Sequence, residues 1–204
     1  MKKYKLAPIT IIMRGYDMDS AICIAKKLNQ YTCFGIEVTM NTPNALEIIK
    51  KLVSLNLKRV KVGAGTVITM EELVQVVQAG ASFVLSPITM SAEMLKYCKD
   101  HQVISVPGAF SPSEIYHMKV LGADIIKIFP VSSFHLSYYK SIKAPLGDMD
   151  FMAVGGVDVD NAKNYFDSGC KYIGIGSSLC KLSDILKQDY TELEEHLERL
   201  SQLV

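Results

Sequence analysis

The sequence predicts an α/β protein, a single (β/α)8 barrel of the TIM type over residues 1–204. Three observations predict it. Short apolar runs alternate strictly with helical stretches, eight times over. One design recurs in Ala79-Gly80-Ala81-Ser82-Phe83-Val84-Leu85, Leu121-Gly122-Ala123-Asp124-Ile125-Ile126 and Ser168-Gly169-Cys170-Lys171-Tyr172-Ile173: a helix end, a glycine, a strand. The length matches the lower limit for such a barrel, roughly 200 residues. Strict alternation implies a parallel sheet, because parallel neighbours need a helical crossover that then covers the sheet. Each glycine suits the left-handed position that stops a helix before a strand. The runner-up is an open doubly wound sheet, which carries fewer strands and repeats less regularly.

The elements follow in order. Ala7-Pro8-Ile9-Thr10-Ile11-Ile12-Met13 reads as the first strand, ended by Arg14-Gly15. A helix over about residues 19–30 places Ile22, Cys23, Ala25 and Leu28 on one face. Cys33-Phe34-Gly35-Ile36-Glu37-Val38-Thr39 is the second strand, and Thr42-Pro43 opens a helix with proline at its first position. Val60-Lys61-Val62 is the third strand, leading into Gly63-Ala64-Gly65-Thr66. Thr69 and Glu72 form a capping box, as do Ser111 and Glu114 around Pro112. The fourth strand ends at Ser86-Pro87, and the fifth, Val103-Ile104-Ser105-Val106-Pro107-Gly108, at its proline and glycine. Asp124-Ile125-Ile126-Lys127-Ile128-Phe129-Pro130 is the sixth, Asp150-Phe151-Met152-Ala153-Val154 the seventh, and residues 171–174 begin the eighth. One last helix carries Ile185, Leu193, Leu197, Leu200 and Val204, with Thr191 and Glu194 as an internal capping box.

Composition excludes several function classes. Apolar residues make up 49% of the chain, enough for a sizeable core. The formal net charge is +1 with no long block of one sign, which gives no electrostatic case for nucleic acid or an anionic membrane. Cys23, Cys33, Cys98, Cys170 and Cys180 are odd in number and lack C-x-x-C spacing, so they read as core residues of a reducing, cytoplasmic protein. Met1-Lys2-Lys3 and the apolar stretch after it are rejected as an export signal, because the stretch is short and ends at Arg14 without a small-residue cleavage site. No run approaches the roughly 20 apolar residues of a membrane span.

The sixth strand holds the most informative residue. Lys127 sits in the middle of a run of isoleucines. Burying an ammonium costs several kcal/mol unless it is paired or neutralised. A lysine there is either an edge residue or an amine of depressed pKa able to attack a carbonyl. Barrel enzymes place their chemistry at the C-terminal strand ends. Those ends bring Arg14, Glu37, Thr39, Thr66, Lys127 and three glycine-rich turns to one mouth. Glu37, in an equally apolar strand, reads as the partner of a buried cation or as a general acid/base whose pKa is raised by desolvation. Gly155-Gly156 and Gly176-Ser177 follow the last two strands, where such barrels bind phosphate through backbone N–H groups. His101, His117, His135 and His196 lie away from the strand ends and show no metal spacing, so no metal is expected.

Taken together, Ile36-Glu37-Val38-Thr39, Val62-Gly63-Ala64-Gly65-Thr66-Val67, Leu85-Ser86-Pro87, Val106-Pro107-Gly108, Ile126-Lys127-Ile128-Phe129-Pro130 and Val154-Gly155-Gly156-Val157 resemble the class I 2-keto-3-deoxy-6-phosphogluconate aldolases. That family includes the 4-hydroxy-2-oxoglutarate and 2-keto-3-deoxy-6-phosphogalactonate aldolases. The resemblance runs from about Ile9 to Ser178 in the same order. It implies a homotrimeric lyase of carbohydrate metabolism, acting without cofactor or metal on a phosphorylated keto acid. Lys127 would be the Schiff-base lysine and Glu37 the acid/base. By the same resemblance Arg14 and Thr66 contact the pyruvyl end, Pro87, Pro107 and Phe129 shape the pocket, and Gly155, Gly156, Gly176 and Ser177 hold the phosphate.

Two departures bear on the substrate. Many phosphogluconate members carry an arginine shortly after the glutamate, where this chain has Met40-Asn41-Thr42-Pro43, and a threonine before the Gly-Gly, where it has Val154. Both features, with Arg14-Gly15 and Ser132-Ser133-Phe134, are similar to the phosphogalactonate branch. Two other readings stay open at this point: a phosphosugar isomerase or epimerase on the same barrel, and a non-catalytic phosphosugar-binding protein.

Overall fold

Nine short strands form one parallel sheet that wraps into a barrel, described for residues 5–204 by a computed structural model. Met1-Lys2-Lys3, where the rejected export signal would begin, lie outside the described residues. The strands are β1 (Ile9–Met13), β2 (Phe34–Thr39), β3 (Val62–Gly65), β4 (Phe83–Leu85), β5 (Ile104–Val106), β6 (Gly108–Ala109), β7 (Ile126–Ile128), β8 (Phe151–Val154) and β9 (Tyr172–Ile175). The helices are α1 (Met18–Leu28), α2 (Ala45–Ser54), α3 (Met70–Gln78), α4 (Ala92–Asp100), α5 (Pro112–Val120), α6 (Tyr138–Leu146), α7 (Ala162–Asp167), α8 (Leu182–Leu186) and α9 (Thr191–Ser201). No described helix is long and apolar enough to cross a membrane.

The count of nine comes from one residue. The fifth strand is divided at Pro107, which has no N–H to donate to the ladder. Its first half, β5, pairs with β4, and its second half, β6, pairs with β7. Ile125 N–H donates to the Ser105 carbonyl at 3.2 Å and Lys127 N–H to the Pro107 carbonyl at 2.9 Å. These bonds shut the barrel on that side, while β1 lies between β2 and β9 on the other.

Alternation sorts each strand into two faces. Ile9, Ile11 and Met13 of β1, Phe34, Ile36 and Val38 of β2, and Phe151 and Ala153 of β8 face the helices and form the larger core. Ile12, Phe83, Leu85, Ile104, Val106, Ile125, Met152, Val154 and Tyr172 form a second cluster that fills the barrel. The same parity puts Glu37 on β2 and Lys127 on β7 inside it.

Beyond the divided fifth strand, sequence and structure differ at four places. The third strand runs from Val62 to Gly65 rather than over residues 60–62, so the glycines are in the strand and not after it. Pro43 stands outside α2, which begins at Ala45 behind Asn44 in a left-handed conformation. The final helix is two, α8 and α9. Thr191 and Glu194 make no capping box: the Thr191 hydroxyl donates to Asp189, and Glu194 pairs with Lys27 on α1. The boxes at Thr69 and Ser111 are both formed, with Pro112 in the first turn of α5.

This contrast is measurable. Ser111→Ala removes a cap and should cost about 1 kcal/mol of stability. Thr191→Ala should stay within about 0.5 kcal/mol of the unaltered chain. Urea unfolding of the two variants checks both values.

Candidate active site

Between β2 and β7 stand three strands on one side (β3, β4 and the divided fifth) and three on the other (β1, β9, β8), so Glu37 and Lys127 face each other across the barrel. Both are buried, at 1% and 5% exposure. Glu37 Oε2 has no hydrogen-bond partner, and among the described residues no ion pair or hydrogen bond joins it to Lys127. Burial pushes the Glu37 carboxyl above its ordinary range, against the pull of the positive charges of Lys127 and then Arg14. Burial pushes the Lys127 amine below its ordinary range; Glu37 opposes that and Arg14 adds to it. The two pKa values are thus driven toward each other, which suits a nucleophilic amine and an acid/base carboxyl within one site.

The backbone around the pair is specialised. Gly65 has no side chain where the Glu37 carboxylate lies: a Cβ there would sit 1.5 Å from Glu37 Oε1. Gly65 is the register partner of Thr39, two residues beyond Glu37, so the carboxylate leans toward the C-terminal mouth. The next residue, Thr66, is β-branched yet has φ +58°. Such a conformation is rare for a branched side chain and is typical of residues held in place at functional sites. On the opposite wall, the Lys127 ammonium lies 4.9 Å from the centre of the Phe129 ring, and Met152 is its register partner on β8.

Above this pair a cavity of about 470 Å³ opens at the C-terminal strand ends. Of the residues singled out in the sequence, Arg14, Phe129, Gly155, Gly156, Gly176 and Ser177 line it. Lys127, Glu37, Thr66, Pro87 and Pro107 do not; Phe129 is the link between the cavity and the lysine below it. Pro107 positions the lysine through its carbonyl, which accepts the Lys127 N–H. Pro87 presents its carbonyl to Gly108, where a Cβ would come within 2.5 Å of it.

Sequence reasoning missed the parts that brace the glycine turn. Gly155 and Gly156 have φ of +83° and +101°. The Gly155 carbonyl accepts from Ser132 N–H at 3.0 Å, and the Gly156 carbonyl from Asn161 Nδ2 at 2.8 Å. In a trans peptide the N–H lies opposite the carbonyl. Tying both carbonyls therefore turns the N–H groups of Gly156 and Val157 the other way, and both residues line the cavity. The Ser178 hydroxyl donates to the Val157 carbonyl and joins this turn to the one after β9. Ser132 and Ser178 stand beside motifs the sequence does reveal, but only the folded geometry pairs them with the turn. Among the described residues no three His, Cys, Asp or Glu side chains converge as a metal-binding group.

Residues 1–196 match the model of the family "Aldolase: KDPG and KHG aldolase". The 2-dehydro-3-deoxy-6-phosphogalactonate aldolase of Escherichia coli (strain K12) is 29% identical over 173 residues, 84% of this chain and 84% of that protein. The 2-dehydro-3-deoxy-phosphogluconate aldolase of Pseudomonas aeruginosa is 30% identical over 165 residues, 80% of this chain and 73% of its own. Among solved structures, native KDPGal is similar with a TM-score of 0.84 and 25% identity, covering 100% of this chain and 98% of that one.

Gly65→Ala tests the seat of the carboxylate. A methyl group there must displace Glu37, and a misplacement of about 1 Å costs roughly 100-fold in rate. We expect turnover to fall by about that factor, measured by steady-state kinetics, with the far-ultraviolet circular dichroism of the unaltered chain retained.

Proposed function

This chain belongs to the KDPG and KHG aldolase family and is a carbon–carbon lyase, and from that premise we propose a Schiff-base mechanism centred on Lys127, with 2-keto-3-deoxy-6-phosphogalactonate as the favoured substrate. The observation that carries it is the buried lysine facing a buried glutamate beneath a cavity walled by glycine turns. Isomerase and sensor readings of the same barrel give way to it.

In this mechanism the neutral Lys127 amine adds to the ketone at carbon 2, and loss of water gives an iminium. Glu37 takes the proton from the carbon-4 hydroxyl. The bond between carbons 3 and 4 breaks, its electron pair moving to form an enamine with the iminium nitrogen as acceptor. Glyceraldehyde 3-phosphate leaves. Glu37 returns that proton to carbon 3 of the enamine, and water hydrolyses the resulting iminium to pyruvate and the free amine. The iminium stores charge that would otherwise be a free carbanion, so the route requires neither metal nor organic cofactor.

Burial serves two steps. It lowers the affinity of the amine for a proton, which favours the nucleophilic form, and it raises the affinity of Glu37 for the proton it must carry. Arg14, at the cavity rim, is assigned to the substrate carboxylate, and Thr66 is given the same role; Phe129 forms part of the cavity wall, while Pro87 and Pro107 act through their carbonyls on the backbone below it. Gly155, Gly156, Gly176 and Ser177 are assigned to the phosphate, far from the breaking bond, where binding energy contributes to orientation. Val154 before the glycines, and the lack of an arginine after Glu37, support the galactonate epimer over the gluconate one. Cleavage of 4-hydroxy-2-oxoglutarate to pyruvate and glyoxylate is the same chemistry without the phosphate. We read the protein as one domain, a homotrimer, and cytoplasmic.

A coupled assay of pyruvate release with both epimers tests the reading. The galactonate epimer should give the higher kcat/KM, Lys127→Met should abolish turnover, and Glu37→Gln should lower kcat by at least about 100-fold. The free amine is the active form, so kcat/KM should fall as pH drops through the Lys127 pKa, which burial holds below the ordinary lysine range. Near-normal turnover by Lys127→Met would remove the mechanism, and a preference for the gluconate epimer would remove the substrate assignment.

A further inference from the structure

Arg14 is exposed at the cavity rim, directly after Met13, the last residue of β1. The chain leaves β1 at this residue and turns through Gly15, whose φ is +75°. What holds that turn comes from the end of β2 and the turn after it. The Gly15 N–H donates to Thr42 Oγ1 at 3.0 Å. Thr42 Oγ1 in turn lies 3.0 Å from Thr39 Oγ1. Both hydroxyls also lie 3.5 Å from the Met13 carbonyl.

These groups are shielded from water, with Thr39 at 0% and Thr42 at 4% exposure. Each hydroxyl has one proton and two lone pairs. With Gly15 N–H donating to Thr42, one threonine proton goes to the other hydroxyl and the second to Met13 C=O, so every member is satisfied in either orientation. The backbone is fixed as well: Thr42 N–H donates to the Thr39 carbonyl at 2.8 Å. The residues before and after Arg14 are therefore both tied to the turn after β2, which also carries Glu37.

We propose that Thr42, with Thr39 behind it, is a positioning residue for Arg14, holding the guanidinium where it meets the carboxylate of the keto-acid substrate. The inference rests on the aldolase reading above and deepens it. This chain has no arginine in the segment after Glu37, so Arg14 is the cation at that rim, and its direction depends on the turn. The Coulombic effect of Arg14 on both Glu37 and Lys127 shows that it sits close enough to matter to them. Thr42 touches neither substrate nor the reacting atoms in this account; it acts through Gly15.

The test uses the full chain with the phosphorylated substrate, and with pyruvate as a simpler probe. Thr42→Val keeps the shape and removes the acceptor, leaving Gly15 N–H unpaired. A lost neutral hydrogen bond is worth about 3- to 10-fold in an equilibrium constant. We expect KM, and the pyruvate concentration for half-maximal borohydride trapping, to rise by about that factor while kcat changes by less than about 2-fold. Thr42→Ser should restore both. In an Arg14→Met background Thr42→Val should add nothing further, because the residue it positions is gone. Thr39→Val, which leaves the Gly15 bond in place, should give a smaller rise and keeps the test usable if Thr42→Val folds poorly.

An unchanged KM in Thr42→Val overturns the proposal. So does a rise that persists in the Arg14→Met background, or a loss confined to kcat and melting temperature that serine does not rescue. If the unaltered chain itself traps no pyruvate, the aldolase reading falls instead, and the two failures are distinguished by that control.

Discussion

The structure depends on the desolvation of two opposite charges inside one barrel. An ammonium or a carboxylate moved out of water loses several kcal/mol, and here neither regains it through a direct bond to the other. The outcome is a pair of shifted proton affinities, one raised and one lowered. A protein selected for stability alone would replace Lys127 with methionine or leucine. The apolar barrel filling around the pair (Val106, Ile125, Met152 and Val154) makes the shift possible by keeping water away. The same residues hold the strands together, so the core and the chemistry are one construction.

Several details of the fold follow from serving that pair. Pro107 divides the fifth strand, and its carbonyl receives the N–H of Lys127. Gly65 leaves a space that the Glu37 carboxylate fills, and Thr66 turns left-handed directly after it. Phe129 lies against the lysine while forming part of the cavity wall. The glycine turn after β8 packs against Phe129, where a Cβ on Gly155 would touch the ring at 2.9 Å. Phe129 thus connects the two halves of the proposed site: the imine chemistry inside the barrel and anion binding at its mouth.

Much of this is legible in the sequence because it rests on local rules. The barrel is visible from alternation and from glycines such as Gly80, Gly122 and Gly169, each at positive φ. Lys127 and Glu37 stand out because charged residues in apolar strands are rare. What escapes the sequence is set by long-range geometry. Pro43 suits a helix start, but the hydrogen bonds of Thr42 hold the chain in a turn until Ala45. Thr191 and Glu194 have capping-box spacing, yet Glu194 is drawn to Lys27, more than a hundred residues away. The hydroxyl network of Thr39 and Thr42, and the bracing of the glycine turn by Ser132 and Asn161, join residues whose spacing carries no signal.

The central claim is that a buried amine on β7 forms a covalent imine with the keto acid. Incubation with pyruvate and borohydride, followed by peptide mass spectrometry, tests it most directly. The account predicts a stable reduced pyruvate adduct on the peptide containing Lys127, and no adduct in Lys127→Met. An adduct on another lysine, or none when pyruvate is shown to bind, would contradict it.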